Sequence, residues 1–260
     1  MARRNFLLTL AYDGTDFRGW QRLGTSSGYA KASSRSVQSE VEACLTKALG
    51  RAAGDPPIEV AGAGRTDAGV HAEGQTASFH AFTDRSPEEI CDALNASFPP
   101  DLACRSCVEA DSRFHARLHA SSKVYRYRFL ASRVPDPFLR RYSLRVAESL
   151  DLAAMGAAAA ALVGERDFKA LSNAKGEDTR RRLDSARIEA SGRLVDLVFE
   201  GPGFIYNQAR VMAALVLEAG LGRIEIASVR AIIEGRDRSA APGALGPYGL
   251  CLVEVRYDRY

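Results

Sequence analysis

Gly62-Ala63-Gly64-Arg65-Thr66-Asp67-Ala68-Gly69-Val70-His71-Ala72 is the stretch from which this chain is best read. Three glycines and three alanines in eleven residues leave the backbone open to close approach by a ligand. The run carries one carboxylate, Asp67, with Arg65 two positions earlier. Two readings fit it. An exposed Asp on a turn beside a cation can act as nucleophile or base. An Asp beside Gly more commonly satisfies neighbouring backbone N–H groups, and on the local pattern alone that structural reading leads.

Outward from the run, Ile58-Glu59-Val60-Ala61 reads as a strand delivering the loop, and Gln75 to Phe82 as a strand leaving it. Phe6 to Tyr12 is a first strand, followed by a turn at Asp13-Gly14-Thr15-Asp16. Leu23 to Arg35 is rich in Gly, Ser and Ala without hydrophobic period and reads as a flexible loop. Ser36 is placed as an N-cap, with Ser39 in the capping-box position, for a helix through Leu49. Val37, Val41, Leu45 and Leu49 recur every four residues and give that helix one buried face. Gly50 to Pro57 is a break, and Ser86-Pro87-Glu88-Glu89 starts a second helix running to about Asn95.

The second half repeats the order of elements. A strand at Lys123 to Leu130 precedes an Ala-rich helix from Asp151 to Val163, then strands at about Asp184 to Ala190 and Leu194 to Glu200. A helix from about Ile205 to Ala219 is apolar on most faces, which predicts burial. A shorter helix, about Ala227 to Ile233, leads to a last strand, Leu250 to Tyr257. This order predicts an α+β chain of two halves, each a sheet with helices on one side. No sequence repeat links the halves, so the duplication rests on element order alone.

At 260 residues, with 46% hydrophobic and 26% charged residues, the composition is that of an ordinary globular protein with a large core. No apolar run is long enough to cross a bilayer, and Arg3-Arg4 lead into a short strand rather than a secretory signal. The cytoplasm is the default location. Five cysteines, an odd number, point to free thiols in a reducing compartment. Cys104 and Cys107 precede His115 and His119, but the gap is too short for a zinc finger. On a regular strand, moreover, an offset of three sends the two thiols to opposite faces. No metal and no cofactor is expected, and no phosphate-binding loop is present in the sequence.

Net charge is only +3, so total charge does not announce a nucleic-acid binder. Distribution says more: nine cations fall between Arg113 and Arg145, interleaved with Phe114, Tyr125, Tyr127, Phe129, Phe138 and Tyr142. Cations supply phosphate contacts and aromatics supply stacking surfaces for splayed bases. The alternation Tyr125-Arg126-Tyr127-Arg128-Phe129 fits equally well a solvated strand face with its aromatics in the core.

Gly64 to Ala72 resembles the signature of the tRNA pseudouridine synthase A family, whose Gly-Arg-Thr-Asp carries the catalytic aspartate, here Asp67. Tyr12-Asp13-Gly14-Thr15 with Phe17 and Gly19-Trp20-Gln21 resembles the family's first block. Phe114-His115-Ala116-Arg117 with Lys123-Val124-Tyr125-Arg126-Tyr127 resembles the second, Gly203-Phe204 with Asn207 and Arg210 the third, and Asp237-Arg238 through Gly249-Leu250 the last. The blocks stand in family order over nearly the whole chain.

The resemblance implies two related α+β lobes, 1–112 and 113–260, with a catalytic cleft between them. It implies an isomerase converting uridine to pseudouridine in the tRNA anticodon stem-loop, at about positions 38 to 40, chosen largely by shape. It also implies a homodimer. Arg210 would pair with Asp67 and keep it charged, Tyr125 would stack on the target uracil, and Arg65 would fill space vacated by the base or bind phosphate. Lys123, Arg126 and Leu245 would help hold the substrate, Leu245 from a loop, Ala240 to Pro247, that departs from the family's Ala-Pro pattern. Lys123 stands where many members carry Arg. Two rivals remain: a non-catalytic RNA-binding or RNA-folding protein on the same scaffold, and a glycoside or nucleoside hydrolase using Asp67. The latter needs a second carboxylate, and Glu73 is the nearest.

Overall fold

The computed structural model describes residues 3–22, 35–51, 58–176 and 178–258. The expected loop at 23–35, apart from its last residue, and most of the break at 50–57 lie outside them. In chain order the elements are β1 (Arg3–Tyr12), α1 (Val37–Ala48), β2 (Ala61–Gly62), β3 (His71–Phe82), α2 (Pro87–Asn95), β4 (Leu102–Ala110), β5 (Ser122–Ala131) and β6 (Leu144–Val146). They continue with α3 (Leu152–Leu162), β7 (Gly164–Asp167), β8 (Arg180–Leu183), β9 (Ser185–Ser191), β10 (Leu194–Gly201), α4 (Gln208–Gly220), α5 (Ile226–Gly235) and β11 (Leu250–Arg256). The protein is α+β with predominantly antiparallel strands. It divides into two compact units, residues 1–121 with 252–260, and residues 122–251. These bounds differ from 1–112 and 113–260: the turn from Arg113 to Ser121 and most of the last strand group with the N-terminal unit.

The same physics explains the regrouping. In the N-terminal unit the sheet runs β4-β1-β3-β11, with β2 beside β3. The Tyr257 hydroxyl pairs with Thr76 Oγ1 of β3 at 2.5 Å and donates to the carbonyl of Ala116 at 2.9 Å, tying both late segments to the first sheet. Alternate residues Phe6, Leu8 and Leu10 of β1 are fully buried, and Phe6 stacks on Phe79 of β3 at 5.2 Å. Helix α1 packs on α2, and α2 on β4. Val37, Val41 and Leu45 are fully buried, as their spacing predicts.

Both expected helix starts are present. Ser36 and Ser39 close a capping box at α1, and Ser86 and Glu89 one at α2, with Pro87 at the first turn. The strand expected at Ile58 to Ala61 is reduced to Ala61–Gly62. Side chains of α1 take the place of a strand neighbour: Gln38 Nε2 donates to the Val60 carbonyl at 3.3 Å, and Glu42 Oε1 accepts from Val60 N–H at 3.2 Å. Gln38 and Glu42, one turn apart on the helix, thus satisfy an extended segment that no ladder reaches.

Strand β4 carries a bulge. Thr9 of β1 faces Ser106 and Leu10 faces Cys104, so Arg105 is the extra residue. It reverses the alternation, and Cys104 and Cys107 both point inward, at 4% and 7% exposure. The opposite-face expectation is corrected. Burial pushes both thiols up, Cys107 to about 12. Among the described residues no group of three or more His, Cys, Asp or Glu is arranged to hold a metal ion, and no helix is long and apolar enough to cross a membrane.

In the second unit β5 pairs with β10 and β10 with β9, all antiparallel, and β6 runs parallel beside β5. Helix α3, N-capped by Asp151, packs on α4, α5 and β9. Eleven of the thirteen residues of α4 are buried, as its apolar faces predict. It begins at Gln208 rather than Ile205 because Asn207 takes a left-handed conformation, φ 61°, and breaks the preceding turn. The β7–β8 hairpin escaped the sequence reading: its strands are four residues long and almost wholly charged.

Candidate active site

The Asp67 loop is fixed by the segment that precedes α1. Trp20 N–H donates to the Thr66 carbonyl at 3.0 Å, and Gly69 N–H donates to the Phe17 carbonyl at 3.3 Å. These two bonds bracket Asp67 and Ala68. Inside the bracket, Val70 N–H closes on the Asp67 carbonyl at 3.1 Å, with Gly69 at φ 79° in the third turn position that favours glycine. The Tyr12 hydroxyl lies 2.8 Å from Thr66 Oγ1 in a buried pair. Upstream, Gln75 Nε2 donates to the Gly64 carbonyl at 2.9 Å, and Ala63 N–H to the Thr76 carbonyl at 2.8 Å. Downstream, Gly14 N–H donates to His71 Nδ1 at 3.0 Å. The same nitrogen is 3.2 Å from Asp13 Oδ1, but a nitrogen accepting from Gly14 has no proton to give, so the Asp13 contact is not a hydrogen bond in that arrangement.

The close approach requires Gly19. Its φ is 93°, and a Cβ there would lie 2.7 Å from the Thr66 carbonyl oxygen. Asp67 is therefore half-buried on a turn whose backbone is held at Gly64, Thr66, Gly69 and Val70. The backbone that carries this carboxylate is thus preset, which lowers the reorganisation that a reacting group there would need. Arg65 is exposed beside it in sequence, while Thr66 is buried.

The second unit builds a separate cluster around Arg210, in the first turn of α4. Its Nε donates to the Leu245 carbonyl at 2.6 Å and its Nη1 to Asn207 Oδ1 at 3.0 Å, while Leu245 N–H returns to the Arg210 carbonyl at 3.4 Å. Asn207 thus spends its side chain on Arg210 rather than on capping the helix. The 240–247 loop is held by donors to its carbonyls. Arg238 Nη1 reaches Ala241 and Pro242 at 3.1 and 2.9 Å, and the Tyr127 hydroxyl reaches Gly246 at 2.8 Å. Burial and then Tyr248 push the Tyr127 phenol up, so it remains a donor.

Tyr125 is 7% exposed and meets the Phe204 ring edge-on at 5.0 Å. It shares a face of β5 with half-buried Lys123 and with Tyr127 and Phe129, both fully buried. Arg126 and Arg128 lie on the other face and converge on Asp196. Arg128 does so bidentately at 2.7 and 2.6 Å, and Arg126 Nε lies 3.8 Å away. The basic–aromatic stretch is thus divided: aromatics of β5 enter the core, and part of its charge is neutralised within the sheet.

The structure brings Arg210 and Leu245 together in one unit and holds Asp67 and Arg65 in the other, with Tyr125 and Lys123 on the β5 face and Arg126 on its reverse. Sequence reasoning gave no supporting role to Thr66, Gln75 or Asn207. Gln75 is fully buried in β3, and a buried polar side chain demands a partner, which here is the Gly64 carbonyl.

The tRNA pseudouridine synthase family model matches residues 9–118 and 158–258, which include the Asp67 turn, Arg210 and the 240–247 loop. The class is an RNA-modifying isomerase. The chain is 36% identical over 255 residues to a tRNA pseudouridine synthase A of Bacillus sp. (strain KSM-64), covering 97% of this chain and 99% of the relative. It is 38% identical over 253 residues to that of Geobacillus sp. (strain WCH70), covering 96% and 97%. To that of Limosilactobacillus fermentum it is 36% identical over 257 residues, covering 97% and 96%. The chain belongs to the tRNA pseudouridine synthase family, whose members isomerise uridine to pseudouridine in tRNA.

Proposed function

We propose that Asp67 is the catalytic carboxylate of this isomerisation, acting on a uridine in the anticodon stem-loop at about positions 38 to 40, where RNA is recognised mainly by shape. The observation that carries the reading is the bracketed turn: Trp20 to Thr66 and Gly69 to Phe17 fix the backbone on both sides of Asp67. The reaction breaks the glycosidic bond, turns the uracil and rejoins it through carbon. Atoms and electrons balance within the nucleotide, so one carboxylate that attacks base or sugar, or helps deprotonate the sugar, suffices.

Arg210 supplies the cation that keeps Asp67 ionised in a closed site. Its anchorage by Leu245 and Asn207 supports this, because a guanidinium fixed at two of its nitrogens presents the others in a set direction. Tyr125 stacks on the extruded uracil, with Phe204 bracing its ring. Arg65, exposed on the catalytic loop, fills the space left by the base or binds phosphate. Lys123 contacts the substrate backbone, and Leu245 lines the uracil pocket. Arg126 contributes through its charge, moderated by Asp196. The working enzyme functions in the cytoplasm as a homodimer. The modest net charge of +3 favours a second copy sharing the tRNA.

The test is to incubate the protein with unmodified tRNA and map pseudouridine by carbodiimide-blocked reverse transcription. Stops confined to the anticodon arm are expected. Stops only elsewhere overturn the positional assignment, and free uracil as product overturns isomerisation in favour of hydrolysis.

A further inference from the structure

The β7–β8 hairpin uses none of the residues assigned to uridine chemistry, yet it concentrates charge. Its register sets Glu165 opposite Arg182 and Asp167 opposite Arg180, which are complementary pairs. Between them Arg166 stands directly opposite Arg181. Like charges directly opposite on a two-stranded ribbon are destabilising. The pair shares one face, because flanking positions point the other way.

A cavity of about 410 Å³ lies here, lined by Arg166, Arg180, Arg181, Arg182 and Arg236 against two carboxylates, Glu165 and Asp167. A second cavity of about 390 Å³ shares Arg166 as a wall and adds Arg230 and Glu234 of α5. Asp167 is already committed: it accepts from Thr179 Oγ1 at 2.5 Å and from Lys169 N–H at 3.1 Å, and it meets Arg236 Nε at 3.2 Å. Arg182 is turned to Asp184 at 2.6 Å, and Arg181 Nη1 donates to the Asp178 and Arg180 carbonyls at 2.8 and 2.7 Å. The Nε of Arg166 is buried and has no hydrogen-bond partner among the described residues. Arg236 caps α5 in a left-handed conformation, φ 53°, the backbone region that glycine favours, although Gly235 is its neighbour. An excess of guanidinium, a repelling cross-strand pair and an orphaned buried donor share one want. Each is relieved by an anion with several acceptor oxygens.

We propose that the Arg166–Arg181 pair and the arginines around it hold backbone phosphates of the tRNA substrate. The hairpin is a second RNA-gripping surface, distinct in its residues from the Asp67 and Arg210 clusters. The inference rests on tRNA being the substrate and not on which uridine is modified. Free phosphate compounds share the chemistry, and the experiment separates them from RNA.

Steady-state kinetics on a tRNA transcript, with binding followed from low to moderate salt, would compare the wild type with Arg166→Gln/Arg181→Gln and Arg166→Lys/Arg181→Lys. The Gln pair is expected to raise KM about tenfold with kcat within about twofold, and to lower the slope of log affinity against log salt by roughly one to two. The Lys pair is expected to keep most of the slope. Unchanged KM and slope, with wild-type pseudouridine formation intact, would overturn the proposal while sparing the catalytic reading. So would pyrophosphate binding that is lost in the Gln pair while tRNA affinity is unaltered. If the Gln pair is too unstable to assay, Arg180→Gln, an exposed neighbour, must show a smaller slope than the wild type or the proposal fails.

Discussion

The Tyr12 hydroxyl sits 2.8 Å from Thr66 Oγ1, in a buried pair one residue before Asp67. The contact ties the end of β1 to the Asp67 loop and explains why a residue at the end of the first strand belongs with a loop more than fifty positions away. Tyr12→Phe leaves Thr66 without this bond at 5% exposure. A loss of about 1 to 3 kcal/mol in unfolding free energy is expected. Pseudouridine formation should fall while tRNA affinity holds, measured by single-turnover kinetics beside urea unfolding.

Gly19 tests the bracket from its other side. With φ at 93° and the Thr66 carbonyl 2.7 Å from a virtual Cβ, Gly19→Ala must displace the Asp67 loop or strain the backbone. A destabilisation of about 1 to 3 kcal/mol is expected, with a larger loss of activity than stability explains. Wild-type kcat in a folded Gly19→Ala protein would show that loop placement is unimportant.

Arg210 joins its own helix to the 240–247 loop through Leu245. Arg210→Lys keeps charge but loses the fork that reaches both Leu245 and Asn207. A fall in kcat of about 10² or more is expected, with KM little changed, since the proposed role needs a cation held in a set direction and not charge alone. Equal activity in the Lys variant would mean that charge alone suffices.

Acid sensitivity should appear at Asp167. The hydrogen bond from Thr179, then the Lys169 amide and Arg236, hold its carboxyl below the usual carboxylate range against its partial burial. A group with a depressed folded pKa stabilises fully above its unfolded value, about 3.9, and loses that contribution as pH falls through the folded value. Urea unfolding should therefore place Asp167→Asn about 1 to 2 kcal/mol below the wild type at pH 7. The gap should shrink as pH falls below that unfolded value. A gap independent of pH would contradict this account.

Much of the architecture was legible because local chemistry and tertiary packing agree. Ser36 with Ser39 and Ser86 with Glu89 announce helix starts by side chains that can reach backbone N–H groups, and both boxes form. The apolar run of α4 announces burial. What was not legible depends on partners distant in sequence. The short strand at β2 follows from Gln38 and Glu42 serving Val60 across a gap of about twenty residues. The inward pair Cys104 and Cys107 follows from a bulge at Arg105, which strict alternation cannot foresee. The boundary at Ser121 follows from Tyr257 reaching back to Thr76 and Ala116. At the candidate site the motif identified Asp67, but the supports from the Tyr12 and Gln75 side chains and from the close backbone approach at Gly19 emerged from the fold. Tyr125 illustrates the remaining ambiguity of sequence: its alternation with Arg126 fits core and ligand face alike, and it lies at 7% exposure beside Phe204.

The most direct measurement of the central claim compares wild type and Asp67→Asn on one unmodified tRNA, quantifying pseudouridine and tRNA affinity together. The account predicts a rate lower by about 10² to 10⁴ or more with affinity within a few-fold of the wild type. Wild-type pseudouridine formation by a folded Asp67→Asn protein would contradict it.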